Sequence, residues 1–257
     1  MVADLMSLKT TAITAAKKAG TILKRCYGKR IPGVRNKGGS LVTDVDIWCN
    51  EAIIREIKKE FPHHNIISEE SKHKKTTSPY TWFIDPIDGT HNFIRGLPLF
   101  GTTVAVAKGD EVLVGIIYLP VFNKLYVAEK GKGAFCNGRR IEVSKQKKLE
   151  FSFVVFDGSS KATIKKIEFW ENISTKLLNE RNLGSAIYAA ALLAEGNVDT
   201  LVYFQTNSWD VAAGFLIVEE AGGRITDFAG NKWTPYQGNY VASNGHLHEE
   251  MRRLVPK

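Results

Sequence analysis

The stretch WFIDPIDGTHNF, Trp82 to Phe93, sets Asp85 and Asp88 three residues apart, behind an apolar run and directly ahead of Gly89 and Thr90. TWFI at 81–84 reads as a short buried strand, as does IIS at 66–68, and each delivers acidic residues at its C-terminal end. Gathered carboxylates repel one another, so a chain that collects them at strand ends offsets the repulsion with a cation. From Asp85 to Thr90 the donors are oxygens only, which points to a hard ion, and magnesium suits a site that also receives phosphate. Pro86 restrains the backbone between the acids, which lets the Ile87 carbonyl join them as a ligand. Gly89 permits close approach of an anion, and a helix beginning at Gly89-Thr90 would aim free N–H groups at it. The Thr90 hydroxyl can orient a water.

Three further segments present acids beside chain reversals: Asp44 and Asp46 before a second helix, Glu69 and Glu70 after IIS, and Asp210 at the start of a late helix. Each alone has a simpler reading, since Asp46 or Asp210 can cap a helix and the glutamates can sit in a solvated loop. A covalent phosphatase of the haloacid-dehalogenase type would need Asp-x-Asp-Gly-Thr. The spacing here is Asp-x-x-Asp-Gly-Thr, which changes the side chains that share a face.

The rest of the chain bounds the fold. Its 257 residues, 44% hydrophobic and 24% charged, suffice for a substantial core. Cys26, Cys49 and Cys136 form no CxxC pair and read as free packing thiols. No segment has the continuous apolar run of a signal peptide or membrane span, so a cytoplasmic location with no membrane partner is expected. The net charge of +8 comes from dispersed residues, with the densest groups at Lys72–Lys75 and Lys145–Lys148, so a solvated surface is expected rather than a nucleic-acid partner. By the same surface argument His63, His64 and His73 lie outside the core, and His91 has no catalytic role.

Helical spacing covers residues 4–28 and 47–61. A β pattern runs from Thr102 to Val143, with turns at Gly109-Asp110 and Asn137-Gly138. GKGAFCNG, 131–138, reads as a hairpin; its spacing is wrong for a dinucleotide loop. FSFVVF is a strand, 161–179 a helix, GSAIYAAALLAEG from Gly184 a small-residue helix, DTLVYF a strand, Trp209–Ala221 a helix, and GRITDF and NYVASN closing strands. The expectation is a layered α/β (α+β) protein: an N-terminal α+β lobe over 1–145 carrying the metal-binding motifs, and a C-terminal α/β lobe over 146–257 completing the site.

LVTDVD (41–46), SEES (68–71), WFIDPIDGTHNF (82–93), GKGAFCNG, RNLGSA (181–186) and WDVAAG (209–214) followed by EEAGG occur in the order and spacing of one family. The sequence resembles the inositol monophosphatase superfamily of magnesium-dependent, lithium-sensitive phosphomonoesterases over nearly its whole length. The resemblance implies an αβαβα sandwich of the inositol monophosphatase and fructose-1,6-bisphosphatase type, a homodimer, and two to three Mg2+ ions per active site. It implies Glu69, Asp85 and the Ile87 carbonyl as ligands of a first ion, and Asp85, Asp88 and Asp210 of a second. Glu69 and Asp46 would hold a third through waters, with Glu70 in support and Lys37 nearby. Gly89 and Thr90 would contact phosphate, and Thr90 with Glu69 would orient the attacking water for in-line displacement without a phosphoenzyme.

The implied function is hydrolysis of a small-molecule phosphate ester, a polyol or sugar phosphate, nominally inositol monophosphate. Gly184, Ser185, Ala186, Tyr203, Gln205, Asn207 and Asp210 are the implied pocket. Where inositol-specific members carry a sugar-binding glutamate, seven residues before Asp210, this chain has Tyr203, which cannot supply two carboxylate oxygens. Alternatives are fructose 1,6-bisphosphate, then 3′-phosphoadenosine 5′-phosphate or histidinol phosphate, and a non-enzyme role in binding RNA or transcription machinery. Trp209 is expected to pack beside Asp210, and Arg181 either to support the acidic ligands or to form an ion pair.

Overall fold

The computed structural model describes residues 4–38, 40–71, 76–158, 160–177 and 179–256. Gly39 and the basic run Lys72–Lys75, with His73, lie outside the described residues. Helix α1 (Leu5–Cys26) buries Ala12, Ala15, Ala16, Ala19 and Leu23, the face that its spacing predicts. Strands β1 (Arg35–Lys37) and β2 (Ser40–Val42) follow. The sequence reads this stretch as a loop, whereas Arg35 pairs with Val42 and Lys37 with Ser40, an exposed hairpin with too few apolar residues to announce itself. Helix α2 (Asp44–Glu60) begins three residues before the apolar periodicity, because Thr43 caps it.

The main sheet has seven strands in sequential order: β3 (Asn65–Ser68), β4 (Tyr80–Asp88), β5 (Gly101–Lys108), β6 (Glu111–Leu119), β7 (Lys124–Glu129), β8 (Ala134–Cys136) and β9 (Arg139–Arg140). The short helix α3 (Thr90–Ile94) lies between β4 and β5. From β4 to β9 every pairing is antiparallel, as the turn dipeptides predict, and β3 joins β4 in parallel.

The second sheet comprises β10 (Phe153–Gly158), β11 (Asn179–Arg181), β12 (Thr200–Phe204), β13 (Arg224–Asp227) and β14 (Tyr240–Ser243), in the order β11-β10-β12-β14-β13. Helices α4 (Thr163–Ser174), α5 (Ala186–Ala194), α6 (Ser208–Glu220) and α7 (His248–Leu254) complete the chain. One expectation needs correction here, and one helix was not foreseen. The helix expected to reach 179 ends at Ser174, and Asn179–Arg181 becomes an edge strand parallel to β10. The closing helix α7 is too short to show a periodicity.

The layers alternate. Helices α1 and α2 cover one face of the seven-stranded sheet, α5 and α6 fill the space between the sheets, and α4 and α7 cover the outer face of the second. Small residues let the middle layer be thin: a Cβ on Gly115 of β6 would meet the Ala213 carbonyl of α6 at 2.7 Å, and one on Gly214 would meet Ala190 of α5 at 2.7 Å. The largest apolar cluster runs from Phe83 to Ala242 and so crosses position 145. Removing a large side chain such as Phe215 from it would cost about 3–5 kcal/mol.

His64, expected at the surface, is half-buried: its ring stacks on Phe61 and Tyr80 at 4.7 and 4.8 Å, and its Nδ1 accepts from the Trp82 indole at 3.1 Å. Burial lowers its pKa. His63 and His91 are exposed. Cys49 and Cys136 are buried and all three cysteines are free. Among the described residues, no helix is long and apolar enough to cross a membrane.

Candidate active site

A β-bulge decides how the two aspartates of the opening motif point. Asp85 pairs with Thr103 of β5, and Asp88 pairs with Gly101, so three steps along β4 match two along β5. In a regular strand, residues three apart face opposite ways; the extra residue around Pro86-Ile87 returns Asp88 to the face of Asp85. The Ile87 N–H donates to Asp85 Oδ1 at 3.0 Å, which closes the bulge.

Helix starts supply the remaining acids. Asp46 and Asp210 are each the third residue of their helices and lie in capping boxes, with Thr43 and Asn207 as the respective caps. Thr43 gives Asp46 its backbone N–H and its hydroxyl. Asn207 gives Asp210 Oδ2 its N–H at 2.8 Å and its side-chain amide at 3.3 Å. Ser185, the cap of α5, donates its hydroxyl to Asp88 Oδ1, and the Ala186 N–H donates to Oδ2 at 3.1 Å. The positive ends of α2, α5 and α6 therefore converge on the acids.

Oxygens of Asp85, Asp88 and Asp210 come within 4.8 Å of one another. Glu69 is within hydrogen-bonding reach of Asp85. Burial, reinforced by the mutual charges, drives every one of these carboxyls upward: Glu69 to about 8, Asp88 to about 7, Asp210 to about 6 and Asp46 to about 6, with Asp85 also well above the usual range. In a chain of net charge +8, this site gathers buried carboxyls. The donor set is all oxygen, so the residues fit a hard divalent cation, which would let the carboxylates ionise together.

Thr90 stands between the acids. Its hydroxyl lies 2.8 Å from the Ile87 carbonyl and 3.2 Å from Asp46 Oδ1, so its single proton is shared between these two acceptors. With the proton so directed, the hydroxyl's lone pairs remain for a donor such as water. Gly89 has φ +83°, and a Cβ there would meet the Leu99 carbonyl at 2.6 Å and Ser185 Cβ at 3.2 Å. The Asn92 amide donates to the Leu99 and Leu183 carbonyls, both at 2.8 Å, tying α3 to the 183–186 loop. The Lys37 ammonium donates to the Glu69 carbonyl at 2.6 Å and pairs with Glu70 at 2.9 Å, so the β1–β2 hairpin does reach the acidic cleft.

Two residues sit differently from expectation. Tyr203 is 1% exposed, with its hydroxyl donated to the Ala186 carbonyl at 2.7 Å and its ring against Phe215, so it forms the wall behind the pocket loop. Arg181 is exposed on β11 and donates to the Glu180 carbonyl, with no described contact to the acids. The Asn92 amide also donates to the Gly184 carbonyl at 3.3 Å, in the loop next to Asp88, while Gln205 and Asn207 are exposed beside Asp210. Trp209 is partly buried in the first turn of α6.

The sequence reading missed Thr43, which fixes Asp46, and Asp157, at the end of β10 beside this cleft. Asp157 carries the signal that found Asp85, an apolar run ending in an acid: FVVFD.

An αβαβα sandwich with carboxylates gathered at the ends of strands and the starts of helices defines a class of metal-binding α/β proteins. The inositol monophosphatase family model matches residues 4–257, and the chain belongs to that family. It is 38% identical over 252 residues to a fructose-1,6-bisphosphatase/inositol-1-monophosphatase of Thermotoga maritima, covering 95% of this chain and 94% of the relative. It is 37% identical over 247 residues to the Nus factor SuhB of Escherichia coli, covering 93% and 92%. The solved structure of the extragenic suppressor protein suhB from Bartonella henselae superposes with a TM-score of 0.92 at 31% identity, covering 98% of this chain and 99% of that one.

Proposed function

We propose that the protein is a magnesium-dependent phosphomonoesterase acting on a small polyol or sugar phosphate, with two to three ions per site. The observation that carries this reading is the bulge that turns Asp85 and Asp88 to one face, where Asp210 joins them. Glu69, Asp85 and the Ile87 carbonyl would hold one ion, Asp85, Asp88 and Asp210 a second, and Glu69 with Asp46 a third. Magnesium, when bound, supplies positive charge that acidifies a water and draws charge off the phosphoryl group. The backbone N–H groups of Gly89 and Thr90 hold the phosphate at the start of α3. Thr90, its proton directed to Asp46 and the Ile87 carbonyl, accepts from the water and with Glu69 aligns it for in-line attack. Gly184, Ser185 and Ala186 flank the leaving group, because the loop that carries them is bonded directly to Asp88.

A second reading is supported by the likeness to a Nus factor: binding to RNA or transcription machinery. One experiment separates the two. Magnesium-dependent phosphate release is measured on inositol 1-phosphate, fructose 1,6-bisphosphate, 3′-phosphoadenosine 5′-phosphate and histidinol phosphate, with Asp88→Asn as the blank. The enzyme reading expects turnover that falls more than about 100-fold in the variant, with the fold intact by circular dichroism. No wild-type turnover above the blank, together with salt-sensitive RNA binding that survives Asp88→Asn, would overturn it in favour of the second reading.

A further inference from the structure

Position 203 lacks a carboxylate, and the fold brings one to the same level from the next strand. Asp157 of β10 is the register partner of Tyr203 of parallel strand β12. Such partners stand about 4.8 Å apart with their side chains on one face of the sheet. Val155 and Leu201, two residues earlier on each strand, both lie in the apolar layer between the sheets, so Asp157 and Tyr203 face that layer at its acidic end. Asp157 Oδ1 accepts the Gly158 N–H at 2.7 Å and the Asn182 amide at 3.4 Å, and Asn182 Oδ1 accepts the Gly184 N–H at 3.0 Å. These bonds orient the carboxylate and fasten it to the loop that holds Asp88. Through Asn182 and Gly184 it is joined to Ser185, whose hydroxyl Asp88 accepts, so it stands on the Asp88 side of the site.

We infer that Asp157 is a specificity-determining residue that accepts hydrogen bonds from hydroxyl groups of the leaving group, supplying from β10 the carboxylate that β12 does not carry. The inference rests on the phosphatase reading and narrows its substrate to polyhydroxylated esters. Oδ1 is taken by the Gly158 and Asn182 donors, and the two lone pairs of Oδ2 can accept from neighbouring hydroxyls of a polyol or sugar. An ammonium-bearing leaving group is disfavoured, because Lys166 already places its own ammonium on the Gly158 carbonyl at 3.0 Å, next to Asp157. A role confined to the turn would need the Gly158 bond alone and would leave substrate preference untouched.

The test uses the full chain with saturating Mg2+ and the variants Asp157→Asn and Asp157→Ala. Readouts are kcat and KM on inositol 1-phosphate, fructose 1,6-bisphosphate, histidinol phosphate and p-nitrophenyl phosphate, which has no hydroxyls, plus the melting temperature. Loss of a charged acceptor should lower kcat/KM on the preferred hydroxylated ester about 10- to 100-fold in both variants. The rate on p-nitrophenyl phosphate should stay within about two-fold. Equal loss on the preferred hydroxylated ester and on p-nitrophenyl phosphate, no loss on the hydroxylated ester, or a larger loss on histidinol phosphate would each overturn the inference. A wild type that hydrolyses only p-nitrophenyl phosphate would sink this inference and leave the phosphatase reading standing. A folded wild type silent on every ester would sink both.

Discussion

Stripping divalent cations should reverse the usual dependence of stability on pH between about pH 4 and 8, because the buried carboxyls keep their protons only in the folded state. Asp46 gives the magnitude. It is 1% exposed, and burial, opposed by the Thr43 bonds, carries its carboxyl from 3.8 to about 6. Between those values the folded chain binds a proton that the unfolded chain has released, so stability is full below the lower value and lost as pH rises through the upper one. Two units correspond to about 3 kcal/mol. Asp88, at about 7, and Glu69, at about 8, shift in the same direction and extend the window upward, so that figure is a floor. For a chain of this size it amounts to a melting temperature at least about 6 °C lower at pH 8 than at pH 4. The assay is calorimetry of EDTA-treated protein across this range, repeated with Mg2+, which should restore stability at pH 8 far more than at pH 5. A flat or rising profile without cations, or equal Mg2+ stabilisation at both pH values, would refute the argument.

Two substitutions test how the backbone and caps build the site. Gly89→Ala places a side chain at φ +83° and against the Leu99 carbonyl, so urea unfolding should show a loss of about 1–3 kcal/mol, with a weaker phosphate affinity. Thr43→Ala removes the cap of α2 and the hydroxyl that Asp46 accepts; the expected loss is about 1–2 kcal/mol, and Thr43→Ser should recover most of it and of the turnover.

Much of the site was legible because its parts are local. Asp85, Asp88, Gly89 and Thr90 lie in one six-residue segment, and Asp46, Glu69 and Asp210 each follow or open an element whose boundary the pattern marks. The errors fall where a neighbour distant in sequence decides. His64 follows a helix-ending proline and reads as surface, yet Tyr80 and Trp82 take its ring. Arg181 sits beside the pocket loop in sequence, but its described bond goes to the Glu180 carbonyl rather than to the acids. Tyr203 aligns with a substrate-binding position, but its hydroxyl is donated to the Ala186 carbonyl seventeen residues earlier.

By itself the sequence determined most of the elements, the family and all but one of the acids at the site, because periodicity, caps and turn residues act over a few positions. Only the tertiary structure decided which acids share a face and which strand neighbours which. The bulge that rotates Asp88 is a relation between β4 and β5, and the pairing that sets Asp157 beside Tyr203 joins strands more than forty residues apart. Where no tight turn joins two strands, as between β10 and β12, their register is set by packing against the layers on either side.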